Sequence, residues 1–299
     1  MRTRRTTTGV DLAAFIKNYL SWSSLSMNTL VAQRIGLIAG AGEIPVYFAK
    51  KAHEDGIRIV SVSFTDEIDA RLKPFVEKNY SISLAKSGKI FKTLEEENIK
   101  DILIIGKVEK KMIFKPQLFD LETLKIMTSM SFQTHQDKTV MLKIIEEIES
   151  RGFKVLDQMQ WMKELYPGKG VLTRRQPTEK EMADIEFGFP ITRYMADQEI
   201  GQTIVVKNKT VIAVEAVEGT DLTIERGCEL GQEKCAVIKV SRTNQDYRFD
   251  SPGIGTQTIE RMIKGKASVI AVEAGRIMIV ERDKVVEQAD RAGISIVCV

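Results

Sequence analysis

Two α/β domains in series are predicted by three features of the chain. Short apolar runs alternate with helical periods from Arg34 onward, a Pro/Gly/Arg-rich break follows Leu165, and β-rich runs resume beyond it. The division is an N-terminal Rossmann-like βαβ domain over 34–165, a short linker over 166–178 and a C-terminal mixed α/β domain over 179–299. Residues 1–33 form an extension, expected to be disordered.

The elements follow in order. "RIGLIAG" is a short apolar run ending in glycine, and "IPVYFAKKAHEDG" has helical periodicity closed by Gly56. "IRIVSVSF" then reads as a strand. The helix "GKIFKTLEEENI", the strand "DILIIGKV", a helix from Lys138 to Arg151 and the run "FKVLD" complete the half. Strands spaced by helices imply parallel βαβ units. "LYPGKGVLTRRQPT" is the linker, with Pro167 to Gly170 expected to act as a hinge. The helical "EKEMADIEFGF" opens the second half. "TIVVKNKTVIAVEAV" follows as a hairpin turning at Lys207-Asn208-Lys209. "VIAVEA" occurs at 211–216 and again at 269–274. Whether this is chance strand composition or a duplicated βα unit, each copy delivers a glutamate, Glu215 and Glu273, near a strand end.

With 299 residues and 43% hydrophobic content the chain can fill two cores, and it has no apolar run long enough to span a membrane. Residues 1–26 carry the whole +3 through Arg2, Arg4, Arg5 and Lys17 against Asp11. The neutral body argues against nucleic acid as a partner, which needs a basic face. Lys17 and Asn18 interrupt what would be a signal-peptide core. The segment therefore reads as an extension or as an upstream start before Met27, with an amphipathic membrane-touching helix as the alternative. Cys228, Cys235 and Cys298 offer no paired spacing for a disulfide framework or a zinc site, which suits a reducing cytosol.

Four stretches can carry chemistry. In "GAGEIP", Gly40, Ala41 and Gly42 form a glycine turn before a helix, a place for an anion. Pro45 stands where the third glycine of a dinucleotide fingerprint belongs, and Glu43 opposes a pyrophosphate, so cofactor-type dinucleotide binding is disfavoured. In "VEAVEGTDLTIERG", the break at Gly219-Thr220 puts Glu218 and Asp221 on a strand-to-helix turn, a common way to hold Mg²⁺. A solvated acidic face is the plain alternative. In "NQDYRFDSPGIGTQTIE", Asp246, Arg248 and Asp250 alternate as in an extended segment and share one side, which suits either a metal-and-phosphate site or a salt-bridged edge. "VEAGR" adds Glu273 and Arg276. His135 is expected near a helix start with Asp137 as a capping acid, or else as a substrate contact. The chain has no Walker loop and no nucleophile elbow.

These pieces in this order, with "GVLTRRQPT", resemble the LpxI family of UDP-2,3-diacylglucosamine pyrophosphatases from Arg34 to the C-terminus. The resemblance implies a Mg²⁺-dependent cytoplasmic enzyme of lipid A biosynthesis, peripheral to the inner membrane and in transient contact with its cytoplasmic face. That enzyme splits UDP-2,3-diacylglucosamine into UMP and 2,3-diacylglucosamine 1-phosphate, and the resemblance implies a homodimer. It marks Asp221 as essential and carries over Asp246, Arg248, Asp250, Pro252 and Gly255. Together with the reading of the four stretches, the candidate catalytic carboxylates are Asp221, Glu218, Asp246 and Asp250, with Asp221 and Asp250 on the metal, and the candidate substrate contacts are Gly40, Ala41, Gly42, Asp137, Thr173, Thr220, Arg248, Gly255, Glu273, Gly275 and Arg276. Arg242-Thr243-Asn244 stands where the family often has lysine-proline, and Gln136-Asp137-Lys138 keeps only the aspartate of an acidic motif. Two rival functions stay open: a nucleotide-sugar or dinucleotide-dependent oxidoreductase using "GAGEIP", and a non-catalytic regulator binding nucleotide or lipid. A diacyl substrate needs apolar surface, and Phe187, Phe189 and Ile191 would supply either that or ordinary core.

Overall fold

The computed structural model describes residues 33–107, 119–129 and 137–299, with side chains at 127–129, 137 and 138 excepted. The expectations for the extension up to residue 32, for His135 and for the Asp137 side chain lie outside the described residues.

The first domain contains β1 (Arg34–Ala39), α1 (Glu43–Glu54), β2 (Arg58–Ser63), α2 (Asp66–Leu72), β3 (Lys78–Ser81), α3 (Ser87–Glu96), β4 (Asp101–Ile105), α4 (Leu121–Ser129), α5 (Asp137–Ser150), β5 (Lys154–Val155) and α6 (Gln158–Trp161). Its strands form a parallel sheet in the order β3-β2-β1-β4-β5, the Rossmann-like arrangement predicted from the alternating pattern. β1 sits at its centre and is buried from Ile35 to Ala39, as a strand covered on both faces must be. One face packs Ile35, Leu37 and Ala39 with Phe48, and the other packs Ile38 with Phe91 and Leu94. Gly40 and Gly106 meet backbone to backbone: a β-carbon on Gly40 would lie 2.5 Å from the Lys107 carbonyl oxygen.

The second domain contains β6 (Gly170–Val171), α7 (Glu179–Asp197), β7 (Thr203–Lys207), β8 (Thr210–Val214), α8 (Thr220–Gly231), β9 (Ala236–Lys239), β10 (Gly253–Ile254), α9 (Thr256–Lys264), β11 (Val269–Val272), β12 (Met278–Ile279), α10 (Arg282–Ala292) and β13 (Ser295–Cys298). Its main sheet runs β6-β13-β11-β9-β7-β8, with β9, β11 and β13 parallel and the remaining pairings antiparallel. Thr178 and Glu181 start α7 with reciprocal capping bonds. The β7–β8 hairpin turns at Asn208 and Lys209, both at positive φ, and their N–H groups donate to Asp184 of α7 at 3.0 and 2.6 Å. α8 lies close on its face of the sheet because residue 227 is glycine, where a β-carbon would stand 2.5 Å from Val205 Cγ2. Phe187, Phe189 and Ile191 are partly buried and pack against the core of the second domain between α7 and the sheet.

Within the 166–178 stretch, Gly170 and Val171 pair with Cys298 and Val297, and the Gly275 N–H donates to the Pro167 carbonyl at 2.7 Å. The stretch is thereby stitched to the second domain.

Residues 246–250 depart from the expected extended conformation. They form a turn in which the Asp250 N–H donates to the Asp246 carbonyl at 3.2 Å, so Asp246, Arg248 and Asp250 do not share a strand face. The cause is Tyr247. Its ring is 8% exposed and enters the apolar cluster of the first domain, edge-on to Tyr166 at 6.0 Å between centroids, and its hydroxyl donates to the Arg276 carbonyl at 3.0 Å. The Gln158 N–H donates to the Tyr247 carbonyl at 3.0 Å, while its side-chain amide bonds the Ile104 carbonyl at 2.7 Å. Met278 joins the same cluster.

Truncating this plug is expected to destabilise the protein. Tyr247→Ala should cost about 3 kcal/mol in urea unfolding, whereas Tyr247→Phe, which keeps the ring and loses one hydrogen bond, should cost about 1 kcal/mol. A second expectation concerns Glu97, whose carboxylate is held at about 2, below the ordinary 4.5, by Lys78, then Tyr80 and Arg34. A depressed folded-state value gives stabilisation that is complete above 4.5 and lost as pH falls toward about 2. Urea midpoints measured at about pH 5 and about pH 3 should fall for the wild type, and by less for Glu97→Gln.

Candidate active site

The carboxyl ends of β9 and β11, the end of β8 and the first turn of α8 meet at one end of the second domain's sheet. β8 runs antiparallel to β7, which is antiparallel to β9, so β8 points the same way as β9 and β11. Both copies of "VIAVEA" therefore deliver their glutamates, Glu215 and Glu273, to this end.

At the centre is Lys239, the last residue of β9 and only 5% exposed. Its Nζ donates to Thr220 Oγ1 at 2.6 Å and lies 3.4 Å from Thr203 Oγ1. The Thr220 hydroxyl in turn donates to Glu215 Oε1 at 3.0 Å, and the Gln202 N–H donates to Glu215 Oε2 at 3.2 Å. Burial pulls the Lys239 ammonium below its ordinary range. The charges of Glu215, Asp221 and Asp250 oppose that shift, and Lys107 of the first domain adds to it.

Asp221 stands in the first turn of α8, behind Gly219 at φ +82°, and is half-buried. Among the hydrogen bonds of the described residues its carboxylate receives one long contact, from Thr258 Oγ1 at 3.5 Å. Thr258 belongs to α9, which begins after Gly255. The other acids are engaged. Glu218 accepts from Arg226 at 2.5 Å, and its own backbone N–H, then Arg226, hold it below the usual carboxylate range. Asp250 is bonded by Arg242 at 2.7 Å and by the Gln245 amide at 2.8 Å. Asp246 pairs with Arg248 at 2.8 Å, and Arg248 also reaches Glu149 at 3.3 Å. Glu273 accepts from the Ser241 N–H at 3.0 Å and its hydroxyl at 2.7 Å, and it pairs with Arg193. Arg276 donates to the carbonyls of Arg242 and Thr243 at 2.6 and 3.0 Å. Gly275, at φ +68°, turns the chain between Glu273 and Arg276, and the Ala274 N–H donates to the Val299 carbonyl at 2.9 Å.

The structure thus gathers Glu218, Thr220, Asp221, Gly255, Glu273, Gly275, Arg276 and Asp250 at or beside one sheet end. Asp246 and Arg248 sit on the turn that docks the first domain. Thr173 is remote: its hydroxyl accepts from the Ile296 N–H at 3.0 Å, at the opposite end of β13. In the glycine turn, the Gly40 and Ala41 N–H groups donate to the carbonyls of Ile105 and Lys107, each at 2.8 Å. Those two amides are spent on the backbone, so an anion at this turn could be met only by the amides from Gly42 onward. Gly42, at φ +112°, leads into α1, and Glu43 pairs with Arg71.

Lys239, Thr203 and Arg193 were not singled out in the sequence. The signal for Lys239 was available, since a lysine enclosed in the apolar string "AVIKV" must either leave the strand or find buried partners. Among the described residues no group of three or more His, Cys, Asp or Glu side chains forms a metal cage. The donor set still fits Mg²⁺, which is commonly held by one or two carboxylates and completed by water and substrate phosphate oxygens.

Comparison with known proteins gives the same outline. The LpxI N-terminal domain matches residues 34–165 and the LpxI C-terminal domain matches residues 168–297. A UDP-2,3-diacylglucosamine pyrophosphatase LpxI of Caulobacter vibrioides is 29% identical over 271 residues, covering 88% of this chain and 96% of that protein.

The engagement of the carboxylates ranks them. Glu218→Gln is expected to keep kcat within about threefold, because Arg226 already holds that side chain, whereas Asp221→Asn should lose about 10²–10⁴ of the rate. Steady-state turnover of the two purified variants checks the order.

Proposed function

The chain belongs to the LpxI family, and on that premise we propose that it hydrolyses the pyrophosphate bond of UDP-2,3-diacylglucosamine, releasing UMP and 2,3-diacylglucosamine 1-phosphate. The observation that carries the reading is Asp221. It is a carboxylate at a helix start with one long hydrogen bond, within a family match that spans both domains.

Hydrolysis of a phosphoric anhydride adds a water oxygen to one phosphorus and breaks the bridging P–O bond. It needs charge neutralisation and an oriented water more than a covalent nucleophile. Asp221, with Asp250 beside it, would hold Mg²⁺, whose charge would offset that of the phosphate oxygens. Asp221 aligns the attacking water or ligates the metal. The first turn of α8 and the start of α9 after Gly255 present N–H groups toward the phosphates. Arg276 and Glu273 form the far wall, each oriented by bonds to the 241–243 segment. Lys107, on the first domain beside Gly40 and Ala41, adds a cation from the other side. The Thr220 backbone N–H, Arg248 and Gly42 complete the proposed substrate contacts, the Thr220 hydroxyl being engaged by Lys239 and Glu215.

Among the described residues no helix is long and apolar enough to cross a membrane. In the same proposal, a lipid-linked substrate reaches the site by transient contact of the protein with the cytoplasmic membrane face, with a homodimer as the assembly.

The reading is tested by mass-spectrometric detection of UMP from UDP-2,3-diacylglucosamine, with Mg²⁺ and with excess chelator. UMP should appear only with the metal. kcat/KM for UDP-glucosamine should be lower by orders of magnitude, because each buried methylene of the acyl chains contributes about 0.8 kcal/mol. Comparable values for the two substrates would show that the lipid is not read.

A further inference from the structure

We propose that Lys239 is a positioning residue of this reaction, which holds the first turn of α8, and with it Asp221, through a fixed Lys239–Thr220–Glu215 hydrogen-bond relay. The inference rests on the reading of Asp221 as the essential carboxylate.

A buried ammonium is costly unless it is matched, and Lys239 is matched in an uncommon way. Among the described residues no carboxylate lies within ion-pair distance of its Nζ, and its direct acceptors are two hydroxyls, Thr220 at 2.6 Å and Thr203 at 3.4 Å. An ammonium only donates, so the Thr220 hydroxyl accepts from Lys239 and gives its own proton to the charged Glu215 Oε1 at 3.0 Å, the nearer and stronger acceptor than the Thr203 hydroxyl at 3.3 Å. The relay then runs from cation through hydroxyl to carboxylate.

Its target is the helix start. Gly219 occupies the N-cap of α8 and supplies no side chain to its free N–H groups. The Thr223 hydroxyl bonds the Gly219 carbonyl at 2.9 Å from within the helix, and the residue after that glycine is Thr220. Its hydroxyl, gripped from below by Lys239 and from the side by Glu215, replaces the missing cap as the anchor of the turn. Asp221 is the next residue, and the 3.5 Å contact from Thr258 is too long to hold it alone. Charge acts in the same sense. Glu215, Asp221 and Asp250 converge on this position, and Lys107 is the other cation that acts on it. Without Lys239 the region would be more negative and would repel an anhydride.

Four variants test the relay in the UMP-release assay. Lys239→Met should lower kcat about 100-fold and Thr220→Val about 30-fold, each with KM within about threefold, because an interaction made through Asp221 is felt in the rate more than in binding. Thr220→Ser should recover most of the rate lost in Thr220→Val. The double variant Lys239→Met/Thr220→Val should be no slower than about threefold below Lys239→Met alone, since both changes break one chain. Wild-type kcat in folded Lys239→Met, equal losses in the serine and valine variants, or multiplying losses in the double variant would overturn the relay. If Lys239→Met does not fold, the Thr220 pair decides. A crystal structure of Thr220→Val gives a readout apart from turnover, with Asp221 expected to leave Thr258. An unmoved first turn would refute the relay. Absence of UMP from the wild type would instead refute the proposed function, and the crystal structure would still judge the relay.

Discussion

The two halves of this molecule are held in one relation by an aromatic ring that belongs to one domain and is buried in the other. Tyr247 follows β9, the strand that ends in Lys239, yet it completes the apolar cluster formed by Leu37, Phe48 and Met162 of the first domain. The six-residue interval between Val240 and Tyr247 therefore spans from the sheet end to the domain contact. Arg242 and Gln245 are placed along the way and Asp250 just beyond it, and the bonds among Gln202, Gln245, Arg242 and Asp250 tie the loop back to the start of β7. The acid of the loop and the position of the opposite domain are set together.

The fold was legible in the sequence because alternation of apolar runs and helical periods is a local signal. The strands beginning at Arg34, Arg58 and Asp101 and the helices beginning at Glu43, Ser87 and Asp137 show it without reference to their neighbours, whereas the short α2, β3 and α4 carry no such pattern and were not legible. The hairpin at Asn208 was legible for the same reason, its turn residues standing between two strand-like runs. The conformation of 246–250 was not. Local alternation of charged and aromatic residues implied a strand with Tyr247 and Phe249 on one side, but the cavity that receives Tyr247 lies more than 80 residues away in sequence, around Leu165 and Tyr166. A side chain with so large an apolar surface follows its burial site rather than its backbone preference.

The site was legible in its acids and hidden in its partners. Carboxylates announce themselves by type and spacing, so Glu218, Asp221, Asp246 and Asp250 could be named. What separates them is which cation each meets: Arg226, Arg248 and Arg242 reach three of the four, and these pairings join residues across turns and strands. The Lys239 relay is hidden for the same reason, since Thr203, Glu215, Thr220 and Lys239 come from three strands and one helix start. Pairing in space, which the order of residues does not encode directly, leaves three of these similar acids bonded to arginines and Asp221 with one long contact among the described residues.

The backbone of Val299 bears on how the protein is handled. Its carbonyl is taken by Ala274, one residue from Glu273 and two from Arg276, and its own N–H by Val272 of β11. Any residues attached after Val299 must leave the molecule at the rim of the site. An affinity handle or fluorescent fusion placed there would crowd the sheet end that holds Glu273 and Arg276, the end proposed as the active site.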